Sequence, residues 1–347
     1  MPRLRCNAHK GCLIGPFMEQ YLQILGSVIP LFVLMAAGAI VRRAGVLNEQ
    51  ADQTLVNLIV HVLQPCLILD HVIPSEALRV PGNLVWSPLL GFAGMAIGIA
   101  LATVAARAYR FPKDEQTRTF AFVGGIFNYG YIPVPLVATL YGSGTLSVLF
   151  VYNLGVEVAF WTIGFAAFEQ RSVLKEWPRI FTTPVRALLL GVAINLITAH
   201  FGILLDEKTL ATASWGWPVK LVMDTIHLAG SCAIPLALLL IGATMADYWG
   251  AFRQASGGAV MLLATVVRNL ICPAVFVLMA WALPISTELK ETVIVQAAMP
   301  AGVFTLLLAR HYGGDVPVAL QIIFATSAAS ILTMPLWIHF GMKLVGL

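Results

Sequence analysis

Long apolar runs alternate with short polar segments along the whole chain. Ten of these runs approach the roughly 20 residues that an α-helix needs to cross a bilayer. They lie near residues 21–41, 55–73, 84–106, 119–141, 145–168, 184–205, 219–246, 257–283, 291–310 and 316–342. The runs are continuous and do not alternate in segments of about 10 residues, so a transmembrane β-barrel is excluded. The pattern predicts an all-α polytopic membrane protein with ten transmembrane helices.

Composition supports this class and excludes several others. Of the 347 residues, 59% are hydrophobic and 11% are charged, whereas soluble domains carry about 25% charged residues. Such a chain cannot cover a soluble surface, so a water-soluble enzyme is excluded. The net charge of +4 is too small to indicate a nucleic-acid partner. Because neither His-Glu-x-x-His nor Cys-x-x-Cys occurs in the sequence, we predict no metal site, no cofactor and no enzymatic activity.

Arginine and lysine are concentrated in the segments that follow the odd-numbered runs, among them Arg42, Arg107 and Arg253. Cytoplasmic loops are enriched in these residues, so both termini are predicted to lie outside the cytoplasmic membrane. Residues 1–17 form a basic leader before a second methionine, and we leave them out of the fold prediction. The leader is an extended start, a non-native addition or a cleaved signal peptide. The apolar run that ends at Arg42 is long, which disfavours the last of these.

Prolines indicate an internal symmetry. Pro65 and Pro235 lie in the second and seventh runs, and Pro133 and Pro300 lie in the fourth and ninth. Each pair is five runs apart; because five is odd, the two halves must be inverted relative to each other. Inverted repeats with broken helices at corresponding places are typical of secondary transporters, although other membrane helices also carry prolines. The predicted division is a first repeat at 18–168, a short cytoplasmic linker at 169–183 and a second repeat at 184–347.

The fourth and ninth runs are predicted to be broken helices that form a binding site. Proline lacks an N–H and frees the carbonyl four residues before it, and a freed carbonyl must face a polar group inside a membrane. Each break also creates a helix N-terminus that attracts anions. Asn128 and Gln296 supply amides for a carboxylate, although they could merely cap the helices. The candidate substrate-binding residues are Asn128, Tyr129, Gly130, Pro133, Pro135, Gln296, Pro300 and Gly302.

Three of the ionisable residues inside predicted spans are candidates for function. A charge at this depth should be paired or face water, so Glu157 and Arg268 are expected to pair with each other. That pair is either structural or functional. In the functional interpretation, Arg268 is the counter-charge for an anionic substrate and Glu157 is its resting partner or a proton carrier. His61 is a candidate proton relay, although a lone histidine near a helix end is more often structural. Asn57 and Gln64 are candidate secondary contacts that would face the cavity from the scaffold.

The motifs at the two breaks resemble those of the auxin efflux carrier family. They are Asn-Tyr-Gly-Tyr-Ile-Pro-Val-Pro-Leu at 128–136 and Gln-Ala-Ala-Met-Pro-Ala-Gly-Val at 296–303. The resemblance implies two inverted five-helix repeats in which helices 4 and 9 cross at their prolines. It also implies a scaffold of helices 1, 2, 6 and 7, often the dimer face, and a moving elevator domain of helices 3–5 and 8–10. Asn128 takes the place of the family's substrate-binding asparagine, and Pro300 that of the second crossover proline.

The sequence as a whole predicts a secondary transporter of small organic anions in the cytoplasmic membrane, working by alternating access as a homodimer surrounded by lipid. The short linker and the sequence around Asn128 favour a bacterial-type member, with mono- or dicarboxylates that are auxin-like or malonate/malate-like as substrates. The coupling ion is H⁺ or Na⁺. The alternatives are a sodium-coupled symporter of the bile-acid-symporter fold, or a ligand sensor or channel that does not transport actively.

Overall fold

The structure is a computed structural model of the 347-residue chain. It describes residues 16–169, 180–213, 216–255 and 257–347. Within these ranges the regular secondary structure is helical and no strand occurs, which confirms the all-α class. Most of the leader predicted at 1–17 and of the linker predicted at 169–183 lies outside the described residues.

Seventeen α-helices occupy the described chain. They are α1 (Pro16–Arg43), α2 (Glu49–Leu58), α3 (Gln64–Val72), α4 (Pro81–Tyr109), α5 (Asp114–Gly125), α6 (Pro133–Leu140), α7 (Ser143–Ala159), α8 (Phe165–Glu169), α9 (Thr183–His200), α10 (Glu207–Thr212), α11 (Gly216–Ser231), α12 (Ala233–Gln254), α13 (Gly258–Val266), α14 (Cys272–Ala282), α15 (Thr287–Ala297), α16 (Phe304–His311) and α17 (Val316–Leu344). Single π-helical turns at Ile59–Leu63, Phe160–Gly164 and Val267–Ile271 join α2 to α3, α7 to α8 and α13 to α14.

Eight continuous helical segments in the described chain are long and apolar enough to cross a membrane. They are Met18–Arg43, Glu49–Val72, Pro81–Tyr109, Ser143–Gly164, Thr183–His200, Gly216–Gln254, Gly258–Ala282 and Val316–Leu344. The runs near 119–141 and 291–310 are absent from this set because each is divided into two short helices. These are α5 with α6, and α15 with α16.

Glycines allow two pairs of long helices to approach closely. A Cβ atom at Gly38 of α1 or at Gly242 of α12 would collide with the backbone of the other helix, and the same holds for Gly91 of α4 and Gly155 of α7. Small residues at such crossings are the usual means of packing helices in lipid, where burial of apolar surface gives no advantage. The α1–α12 contact joins the two halves of the chain.

The carbonyl groups that prolines free inside the helices find donors elsewhere. Pro273 cannot donate to the carbonyl of Asn269, and the indole Nε1 of Trp337 in α17 donates to it instead, at 2.7 Å. This satisfies the requirement that no backbone carbonyl be left unpaired in hydrocarbon. The π-helical turn with Asn269 is therefore held by α17, which also packs against α13.

Candidate functional site

The two divided spans end their helices at matching places. In the first, α5 ends at Gly125 and α6 begins at Pro133; in the second, α15 ends at Ala297 and α16 begins at Phe304. Pro133 takes the first position of its helix, where a missing N–H costs nothing because that group has no partner within the helix. It therefore permits a new helix to start but prevents the old one from continuing through it.

The two irregular segments pair with each other in antiparallel fashion. The backbone N–H of Asn128 donates to the carbonyl of Pro300 at 2.8 Å, and the N–H of Gly302 donates to the carbonyl of Ile126 at 3.0 Å. A Cβ atom at Gly302 would lie 3.3 Å from the carbonyl oxygen of Phe127, so glycine suits this close approach. Each break thus satisfies polar backbone groups of the other, as irregular backbone at membrane depth requires.

The carbonyl of Tyr129, which Pro133 was predicted to free, accepts two side-chain amides. Asn153 Nδ2 of α7 donates to it at 2.8 Å and Gln296 Nε2 of α15 at 3.2 Å. Gln296 Nε2 also donates to Asn153 Oδ1 at 3.0 Å, and its side chain is fully buried. Gln296 therefore links α15 to the first break and does not line the cavity described next. That Gln296 contacts a substrate stays a prediction; in this structure its Nε2 donates to Tyr129 and Asn153.

A cavity of about 180 Å³ lies against the two breaks. Residues 126–131 of the first break and 302–305 at the start of α16 form two of its walls. Others come from Gln64, from Glu157 with the π-helical turn that follows it, and from the start of α9. Pockets that hold drug-sized ligands measure about 300–1,000 Å³, so this cavity fits a small metabolite.

The predicted site residues divide into two groups. Those that line the cavity are Asn128, Tyr129, Gly130, Gly302, Glu157 and Gln64. Those that do not are Pro133, Pro135, Gln296, Pro300, Arg268 and His61. The three prolines shape the backbone around the cavity rather than contact its contents. The side chain of Asn128 is 5% exposed and makes no hydrogen bond within the described chain, so its amide is open to a ligand.

Glu157 forms its hydrogen bonds with aromatic side chains, and the expected ion pair with Arg268 is absent. Tyr129 Oη donates to Glu157 Oε1 at 2.9 Å, and Trp161 Nε1 donates to Oε2 at 3.1 Å. The carboxylate thus faces the cavity with both oxygens already accepting one donor. Neither Trp161 nor Asn153 was predicted, although each is a polar-capable residue four positions from Glu157 on the same helical face.

Arg268 lies behind the crossing and not in the cavity. It is fully buried; its Nη2 donates to the carbonyl of Ala297 at 3.2 Å, and its guanidinium lies 5.3 Å from the ring centroid of Phe127 and 5.7 Å from that of Phe276. The carbonyl is at the C-terminal end of α15, where a cation is favoured by the helix dipole. That Arg268 neutralises a bound anion stays a prediction; in this structure it does not line the cavity.

His61 is exposed and points away from the crossing. Its Nδ1 lies 3.0 Å from the backbone carbonyl of Asn57, one turn earlier in the same helix. It is not among the residues that line the cavity, so the structure gives it no partner in a proton path through the site.

A second, larger cavity of about 490 Å³ adjoins the first. The two share Val60, Tyr131, Val303 and Phe304 as common wall residues. The larger one extends toward the charged ends of α2 and α12, where Asp52 and Asp247 line it.

Comparison with known proteins gives matches across both breaks. A family model described as membrane transport protein matches residues 23–177 and 171–338. A protein of Methanothermobacter thermautotrophicus is 23% identical over 316 residues, which cover 90% of this chain and 96% of that protein. A protein of Methanocaldococcus jannaschii is 21% identical over 331 residues, which cover 89% of this chain and 96% of that protein. Each is described as an uncharacterized transporter.

Proposed function

Since the chain belongs to the membrane transport protein family, whose auxin efflux carrier-like motifs it carries, we infer that it is a secondary active carrier of small organic anions that bear a carboxylate. The transporter class itself, as opposed to an enzyme, follows from the family and from its relatives. The eight apolar helices fit an integral membrane protein. We further propose that the membrane is the cytoplasmic membrane and that both termini lie outside.

The observation that carries this proposal is the antiparallel pairing of the two breaks. Two interrupted helices that meet at mid-depth, one from each half of the chain, are the arrangement of transporters with inverted repeats. On this proposal, residues 18–168 and 184–347 are two inverted five-helix repeats and the interrupted spans are their fourth helices. The pairs Asn128–Pro300 and Gly302–Ile126 then lie at the crossing point.

A carboxylate suits the start of α16. No side chain caps this helix, and no carbonyl or side chain in the described chain accepts the N–H groups of Val303 and Phe304. Free N–H groups and the positive end of the helix dipole attract an anion. Asn128, which lines the same cavity with an unbonded amide, adds a donor for the second carboxylate oxygen.

The position of the cavity supports a mechanism of alternating access. Its walls come from two sets of helices that the family resemblance separates: Gln64 and the start of α9 belong to the proposed scaffold, and the two breaks belong to the proposed moving domain. Sliding one set past the other would move the cavity from one membrane face to the other. We propose that the scaffold also forms the interface of a homodimer, and that H⁺ or Na⁺ supplies the coupling.

The test replaces Asn128 with alanine in purified protein reconstituted into liposomes. We expect Asn128→Ala to weaken carboxylate binding at least about tenfold, because a hydrogen bond to a charged group contributes about 1.5–3 kcal/mol. Asn57→Ala is the matched control, since Asn57 is exposed and its Oδ1 accepts only from Gln53. Equal affinities of the two variants would reject the site. Single-channel currents, or failure to accumulate any solute under imposed voltage, proton and sodium gradients, would reject a carrier.

A further inference from the structure

The formal charge on the wall of the cavity at the crossing is negative, whereas an anion is attracted by positive charge. Among the described residues that line it, the one formally charged side chain is Glu157, and none is Arg, Lys or His. The nearest buried cation that the sequence suggested, Arg268, is separated from the cavity by the ring of Phe127 and donates to Ala297. A simple organic anion would therefore enter a small, largely apolar space next to a carboxylate, and like charges in such a space repel strongly.

Glu157 is arranged as an acceptor. Its Oε1 accepts from Tyr129 Oη and its Oε2 accepts from Trp161 Nε1. A carboxylate offers about four lone-pair sites on its two oxygens, so each oxygen retains capacity for a donor from a ligand. Two protein donors hold the group in place without neutralising its charge. The partner that the carboxylate of Glu157 still lacks is a cationic group.

Aromatic rings surround the same space. Besides Tyr129, the aromatic residues that line it are Phe127, Tyr131, Phe160, Trp161 and Phe304. The faces of such rings attract ammonium groups, and aromatic walls beside a carboxylate are the usual composition of sites for amines. The rings of Phe160 and Trp161 meet edge to face at 5.0 Å, and that of Phe304 is 6.3 Å from Phe160, so they form one continuous wall.

The opposite pole of the cavity favours negative charge. There the start of α16 has no side-chain cap, and the N–H groups of Val303 and Phe304 have no acceptor in the described chain. Asn128 is only 5% exposed and lines the cavity. Its side chain makes no hydrogen bond within the described residues. One small cavity therefore contains a site for a carboxylate and a site for an ammonium group.

We propose that the cargo is a zwitterion, an amino-acid-like solute that carries both groups. Its carboxylate is held by the start of α16 and by Asn128, and its ammonium group by Glu157 and the aromatic wall. This inference rests on the proposed function for the location of the site. It keeps the carboxylate of the proposed substrate and adds an ammonium group, so the substrate class becomes amino acids and related solutes. The bound cargo has no net charge. Its carboxylate and its ammonium group each lie at the end of the cavity that favours that charge.

The experiment compares solutes in matched pairs that differ by the amino group alone. The pairs are L-alanine with propionate, L-leucine with 4-methylpentanoate, and L-phenylalanine with 3-phenylpropionate. Binding to the purified full-length protein is measured by calorimetry, and movement by counterflow in liposomes. In at least one pair we expect the amino acid to bind at least about tenfold more tightly than its deaminated partner. This comparison uses the unaltered protein, so it does not depend on the folding of any variant.

Variants at Glu157 test whether its carboxylate holds the ammonium group of the cargo. Glu157→Gln is expected to lower affinity for the preferred amino acid at least about tenfold and to leave or improve affinity for its deaminated partner, because a negative charge has been removed. Glu157→Asp retains the charge and is expected to retain the preference. Glu76→Gln is the matched control, since Glu76 is exposed and outside the cavity. Thermal unfolding without ligand verifies that each variant is folded.

Two outcomes overturn the inference in distinguishable ways. If the deaminated acids bind as tightly as the amino acids, and Glu157→Gln reproduces the binding that the unaltered protein shows at low pH, then Glu157 carries a proton and the cargo is a plain carboxylate. The proposed function would survive that result. If neither class of solute is bound or moved, the proposed function fails together with the zwitterion.

Discussion

The two interrupted spans have the same backbone form but different chemistry. In the first, Pro133 and Pro135 occupy the opening turn of α6 and remove two of its N–H groups. In the second, Pro300 precedes α16 and the N–H groups of Val303 and Phe304 are retained. Only the second therefore presents a helix N-terminus with free donors to the cavity. Two breaks that look equivalent in sequence do not make two equivalent anion sites.

The side-chain amides of the two breaks also differ in their surroundings. Asn128 faces the cavity without a hydrogen-bond partner, whereas Gln296 is buried and links Tyr129 to Asn153. On the proposed inverted-repeat architecture, a carrier in one orientation opens its site to one side of the crossing, so corresponding amides meet different surroundings. The comparison teaches that one amide is open to a ligand, whereas the other connects α15 to the first break and to α7.

The largest expected effect separates these roles. Gln296→Leu removes one of the two donors to the Tyr129 carbonyl and the donor to the half-buried Asn153 Oδ1, which should destabilise the protein by about 1–3 kcal/mol. Asn128→Ala should leave stability nearly unchanged and reduce affinity instead. The stability of both variants is compared by thermal unfolding in detergent, and their affinity by ligand titration. Equal losses of stability in the two would remove the distinction.

A second prediction concerns the free N-terminus of α16. Val303→Asp places a carboxylate at the start of α16, beside the free N–H groups, where its negative charge would repel a bound carboxylate. We expect affinity to fall by roughly tenfold, while the helix dipole stabilises the added charge by about 0.3–1 kcal/mol. Val303→Leu, which adds no charge, is the control. Affinity that is unaltered in Val303→Asp would move the carboxylate site away from α16.

Sequence reasoning located the breaks and the cavity asparagine because both depend on local chemistry. Pro133 and Pro300 interrupt a helix wherever it packs, and Asn128 adjoins the first of them. The partners of Arg268 and Gln296 depend instead on which face of an apolar helix meets which neighbour. In spans that are apolar on every side, periodicity does not distinguish these faces. Arg268 therefore looked like a partner for Glu157, although it lies over Phe127 and Phe276.

A smaller effect is expected where the two breaks approach each other most closely. Gly302→Ala adds a Cβ atom 3.3 Å from the carbonyl of Phe127, so the paired segments must separate slightly, at a cost of about 1 kcal/mol. Gly130→Ala on the same crossing adds a Cβ atom to open space and should cost less. Unfolding temperatures of the two variants compare them directly. A larger loss in Gly130→Ala would show that the backbone at Gly130 carries the strain.

The smallest effect concerns the far end of α16, which is tied to the helix α12 of the proposed scaffold. Arg310 Nη1 donates to Tyr248 Oη at 2.9 Å across the mouth of the larger cavity. Tyr248→Phe removes this acceptor; because the pair is exposed, hydrogen–deuterium exchange in α16 should rise by less than about fivefold. The short helix of the first break, α6, does not take part in this hydrogen bond, and its hydrogen–deuterium exchange rate should be unchanged. An equal rise in α6 and α16 would mean that the crossing moves as one body, and that the two broken helices are coupled through their paired backbones more strongly than their separate chemistry suggests.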